Sequence, residues 1–98
     1  MSGASRILDK IRARVRFRQY VMTLHAEEEM EEDGFAIYDV ENALLTGTII
    51  GRQADRRSKE RKYLIRGRSA DDARDAVVLV KFGPTDLLII VTVYADES

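Results

Sequence analysis

The sequence predicts an α+β fold, with N-terminal helices packed on a four-stranded antiparallel sheet that gains a fifth strand if Arg18–Met22 pairs. Three observations lead there. Apolar residues recur at helical spacing up to Gly47, and after it the chain turns to short runs rich in Val, Ile, Leu and Tyr. The connections between those later runs are of hairpin length, too short for crossover helices. Finally, 98 residues with 45% hydrophobic content leave room for one core and not two. Residues 1–98 therefore read as a single domain, with Met1–Ala4 and Asp96–Ser98 as flexible ends.

In chain order, Ile7, Ile11 and Val15 sit at i, i+4 and i+8 between charges and predict an amphipathic helix over 5–16. Arg18–Met22 has strand composition. Thr23 is suited to cap a helix from Leu24 to Asp33, whose acids favour the positive end of the helix dipole, and Gly34 ends it. Ile37, Val40 and Leu44 give the next apolar face, a helix over 37–46 closed by Gly47. Strands follow at Thr48–Arg52, Lys62–Arg66, Ala76–Phe82 and Leu87–Tyr94. The near-continuous apolar run from Leu87 to Val93 predicts a central strand buried on both faces.

Composition excludes several function classes. There is no cysteine, hence no disulfide framework, thiol nucleophile or cysteine-based zinc site, and a single histidine rules out a multi-histidine metal cage. No apolar run approaches the ~20 residues of a membrane helix, and the Arg-rich start has no signal-peptide core, so a cytoplasmic protein with no membrane partner is expected. No GxGxxG, Walker, HExxH or G-x-S-x-G motif occurs, so no nucleotide cofactor is expected.

The net charge of −1 conceals three blocks. Residues 1–20 carry six basic residues against Asp9, a balance of +5. Residues 27–41 carry eight acids and no base. Residues 52–68 carry eight basic residues against Asp55 and Glu60, a balance of +6. Charge segregated in this way steers partners in a manner the sum hides.

His25, in the first turn of the acidic helix with Glu28 and Glu29 at i+3 and i+4, could act as a general acid or base, or could simply order that turn. With Glu32 these residues share a helical face. One helix alone gives poor coordination, so no metal site is expected. The basic hairpin is the better lead. Arg56 and Arg57 lie in its loop, and on the strand after it alternation puts Arg61 and Tyr63 on one face, Lys62, Leu64 and Arg66 on the other. Arginines with a tyrosine can neutralise phosphates, stack a base and stabilise transition-state charge in RNA cleavage. Tyr94, ending the last strand, could join them. An edge hairpin whose cations block aggregation would have the same composition.

The segments Tyr20–Met30, with Thr23, His25, Ala26 and Met30, Asp39–Ile50, Tyr63–Gly67, Val77-Val78 and Thr92-Val93-Tyr94 resemble a family of small bacterial and archaeal proteins of unknown function. Its members carry T-x-HA-x-x-x-M, DV-x-x-AL-x-x-G-x-I-I and T-x-Y motifs. The family is similar in fold to RelE, ParE and BrnT toxins, and its genes often adjoin a zinc-finger antitoxin of the MqsA type. The resemblance implies a toxin-like module of a toxin–antitoxin pair, a metal-independent endoribonuclease acting on RNA. It also implies an antitoxin partner of zinc-finger or helix-turn-helix type. On that reading Arg56, Arg57, Arg61 and Arg66 contact RNA, while His25, Tyr63 and Tyr94 are the catalytic candidates. The chain departs from the family pattern at Glu29 and Asp33, where arginine is typical, and at Ala76, where a histidine is often found. Those departures set an acidic helix where a phosphate would lie. They favour the alternative, a non-catalytic interaction domain that docks a basic partner through this helix or self-associates as a homodimer.

Overall fold

The computed structural model describes residues 3–96, and the chain forms α1 (Gly3–Arg16), β1 (Tyr20–Met22), α2 (Leu24–Glu32), α3 (Ile37–Thr46), β2 (Thr48–Ala54), β3 (Arg61–Arg68), β4 (Asp75–Phe82) and β5 (Leu88–Asp96). The strands make one sheet in the order β1-β5-β4-β3-β2. The last four form the expected antiparallel meander. β1 completes the sheet as its fifth strand and runs parallel to β5, so the sheet is mixed. Of the ends read as flexible, Gly3 and Ala4 belong to α1 and Asp96 closes β5, ion-paired to Arg66. Met1, Ser2, Glu97 and Ser98 lie outside the described residues.

All three helices cover one face of the sheet. Ile11 and Val15 from α1, Ala26 from α2, and Val40, Ala43 and Leu44 from α3 are buried against Tyr63, Ile65, Val78, Val80, Leu88, Ile90 and Val93. The other face has no helix. Lys62, Leu64 and Arg66, Leu79 and Lys81, and Ile89 and Tyr94 alternate onto it by register. β5 is therefore an interior strand covered on one side only, not on both. A register shift beside Val80 inserts one residue, so Ile90 and Val93, three apart, both point into the core.

Where α3 crosses the sheet there is no room for side chains. A Cβ on Gly67 would stand 2.1 Å from the Ala43 carbonyl oxygen, and one on Gly47 would stand 2.5 Å from the same atom. Glycine at both positions lets the helix backbone rest on the strands. α1 is fastened by three of its cations. Arg12 donates to the Gly47 carbonyl at 2.9 Å, Arg14 donates to the Asp86 carbonyl at 2.8 Å, and Lys10 pairs with the Asp86 carboxylate at 3.0 Å.

α2 completes the edge of β5. Thr23 Oγ1 accepts from Ala26 N at 3.0 Å as the N-cap and donates to the Val91 carbonyl at 3.1 Å. Beyond the end of β1, Glu29 Oε1 accepts from Val93 N at 3.3 Å and Asp33 Oδ2 from Ala95 N at 2.8 Å. One face of the helix thus replaces the strand that β1 is too short to provide, and satisfies donors that would otherwise be orphaned.

Candidate nucleic-acid interface

The β2–β3 hairpin is closed by a four-residue tip. Asp55 N donates to the Glu60 carbonyl at 3.0 Å, Lys59 N donates to the Asp55 carbonyl at 2.8 Å, and Lys59 takes a left-handed φ of 59°. The Asp55 carboxylate accepts from Arg57 N at 2.8 Å, and this backbone donor, with Ser58, holds its carboxyl below the ordinary range. The loop acid is thus turned to its own backbone, and the other acid, Glu60, pairs with Lys81 at 2.9 Å. Arg52, Arg56, Arg57, Lys59, Arg61 and Lys62 make no ion pair among the described residues, and all but the half-buried Lys62 are exposed. Six cations without an ion pair, of which Lys62 lies in the field of Asp55 and Arg52 over the Tyr63 ring, repel one another and attract an anionic ligand.

Beside the hairpin lies an open groove of about 470 Å³, walled by Lys10, Lys59, Arg61 and Lys81 with Tyr63 and Phe82 among its apolar parts. The Lys10 ammonium stands 4.3 Å over the Phe82 ring, and Arg52 lies 6.0 Å from the Tyr63 ring centroid. Lys10 and Lys81 come from α1 and β4. Local sequence gives no sign that they meet the hairpin.

The structure separates the other residues singled out above. Arg56, Arg57 and Arg61 are on the basic surface. Tyr63 is only 6% exposed and cannot stack a base, because the face it shares with Ile65 is the one the helices cover. The predicted alternation holds, but the side that is buried is the opposite of the one a surface tyrosine requires. Arg66 lies at the far end of β3, about 17 Å along the strand from Arg61. It is already engaged by Asp75 at 2.7 Å and Asp96 at 3.1 Å, so it is no free phosphate ligand.

Tyr94 stands on the uncovered face opposite Val77, 40% exposed. His25 is exposed and bonds to Glu29 Oε1 at 3.1 Å, the oxygen that receives the Val93 amide. It is thus at the β5 edge, three strand spacings or about 14 Å across the sheet from β2. The three catalytic candidates do not converge, since one is at the β5 edge, one in the core and one on the open face. Ala76, the third departure, is fully buried under the helices.

Nor is the acidic block one surface. Glu29 and Asp33 cap β5. Asp39 accepts from Ala36 N and Ala70 N, and Glu41 accepts from the Tyr20 hydroxyl at 2.6 Å. Burial and this carboxylate push the tyrosine pKa up to about 12. Only Glu27, Glu28, Glu31 and Glu32 are left facing solvent.

Arg68 and Arg66 hold the Asp75 carboxyl below its ordinary value of 3.8. A depressed folded-state value contributes stability that is present above 3.8 and is lost as pH falls below 3.8 and through the lowered folded-state value. Asp75→Asn is therefore expected to melt below the wild type at neutral pH. The gap should close on acidification, as followed by thermal melts across pH.

A small α+β domain with a basic hairpin at one sheet edge and a helix-capped strand near the other is what this fold defines. The chain belongs to the family described as Domain of unknown function (DUF4258), which matches residues 22–95. α1, with Lys10, precedes the matched stretch. No curated protein and no solved structure matches the chain.

Proposed function

We propose that this domain is a toxin-like module of a two-gene pair that engages RNA through the β2–β3 hairpin. The observation that carries this reading is the set of six hairpin cations without ion pairs, on a tip whose own acid is turned to the loop backbone. A single-stranded RNA supplies the missing counter-charge, and its release of condensed cations gives the affinity. Since His25, Tyr63 and Tyr94 are apart, any catalytic contribution in this reading comes from arginines that stabilise charge on a phosphate, and not from an acid–base pair.

The test is RNA binding by the purified domain over a salt series, together with induction in a bacterial host. Four or five phosphate contacts predict a slope of about −3 in log affinity against log salt. The triple variant Arg56→Ala, Arg57→Ala, Arg61→Ala, all at exposed positions, should keep its fold, lose about tenfold or more in affinity, and flatten the slope by about 0.7 per contact removed. Growth arrest that is present with the wild type and absent with the triple variant supports the toxin-like role. No RNA binding at low salt, or equal binding by the triple variant, overturns the reading.

A second reading is favoured by Glu27, Glu28, Glu31 and Glu32, which are exposed along α2 without ion pairs. It is a non-catalytic domain that docks a basic protein partner on this helix.

A further inference from the structure

β1 lies at the edge of the sheet and only one of its sides is used. Leu88 N donates to the Gln19 carbonyl and Thr23 N donates to the Ile90 carbonyl. In a parallel ladder this turns the backbone groups of residues 19, 21 and 23 toward β5 and those of Tyr20 and Met22 outward. Among the described residues nothing receives the outward groups. The same short stretch carries Phe17 at 74% exposure, Val21 at 46% and Leu24 at 70%, three of the six large apolar side chains that the described surface leaves out. Shortness and charge normally protect an edge strand, and β1 has both, but apolar side chains are exposed on it and at its two ends as well.

The charges around this edge are self-complementary. Arg16 and Arg18 precede β1, exposed and without ion pairs, while Glu27, in the first turn of α2, and Glu28 after it are equally exposed and without ion pairs. When two copies pair antiparallel about Val21, Tyr20 of each faces Met22 of the other, and the two pairs exchange four backbone hydrogen bonds. The turn that carries Phe17 and Arg18 in one copy then comes to the start of α2 in the other, where Leu24 is exposed. Arg16 and Arg18 come beside the second copy's Glu27 and Glu28, and the two-fold axis repeats the contact.

We propose that the chain forms a two-fold dimer through the free edge of β1, joining two five-stranded sheets into one of ten. The basic hairpins, at the opposite edge of each sheet, stay free at the two ends, nine strand spacings or about 43 Å apart. The dimer does not depend on what the hairpins bind.

Sedimentation of the full chain tests it. The wild type is expected to be a dimer, and Val21→Lys, which sets two like charges face to face on the axis, a folded monomer. The decisive pair is Arg16→Glu with Arg18→Glu in one chain and Glu27→Lys with Glu28→Lys in another. Each alone should be monomeric, because both of its contacts are repulsive, whereas a one-to-one mixture should form a heterodimer. A monomeric wild type, a dimer unmoved by these variants, or a mixture that stays monomeric overturns the proposal. Uptake of a foreign β-strand peptide by a monomeric wild type would likewise assign the edge to another occupant and overturn it.

Discussion

Gly67→Ala should lose about 3 kcal/mol or more of stability, and the midpoint of thermal unfolding should fall by about 10 °C or more. The new methyl would meet the Ala43 carbonyl oxygen at 2.1 Å and the Ala43 Cα at 2.7 Å. Both atoms belong to the α3 backbone, so no rotamer change relieves the contact. The helix must lift from β3, and Val40 and Leu44, fully buried on the same helix, lift with it. Gly51→Ala is the control. Its Cβ would find only the Leu64 side chain, at 3.6 Å, an ordinary contact on the uncovered face, and its melting point should stay within a degree or two of the wild type. Equal stability of the Gly67 and Gly51 variants in calorimetry would mean that α3 does not rest on the strand backbone.

The second large effect is expected at the edge of β5. Asp33→Ala should cost about 2 kcal/mol, because it strips the Ala95 amide of a charged acceptor at 2.8 Å. Glu29→Ala should cost about 1 kcal/mol, since its bond to the Val93 amide is longer, at 3.3 Å. Hydrogen exchange should report the change locally, with faster exchange at Ala95 and Val93 while β3 and β4 keep their protection. Asp33→Asn, which retains an acceptor oxygen, should recover part of the loss. Unchanged exchange at Ala95 in Asp33→Ala would refute the capping role.

These two sites mark where sequence patterns stop being informative. Helical spacing in Ile11 and Val15, the Thr23 cap, and Gly34 and Gly47 as helix ends are local features, and each element they predict is present to within a few residues. The basic hairpin is local as well, because its cations fall within one short stretch of sequence and the tip is ordered by its own Asp55. Glu29 and Asp33, by contrast, read as two more charges in an acidic run. Their four-residue spacing marks a common face, but nothing in the chain says that the face meets unpaired amides more than sixty residues later. Tyr63 shows the same limit from the other side. Alternation assigns it to the face of Arg61 and Ile65, and only the packing of the helices decides that this face is the buried one.

The sequence by itself thus determined the α+β class, the order of elements, the antiparallel meander and the cationic hairpin, since all of these follow from periodicity, capping and turn chemistry within a few residues. Only the tertiary structure decided which sheet face lies under the helices, which acids cap a strand edge, and that Lys10 and Lys81 join the hairpin groove. It also decided that His25, Tyr63 and Tyr94 stand apart. Such facts depend on contacts between residues far apart in the chain, whose formation is governed by burial of the whole core and not by any local preference.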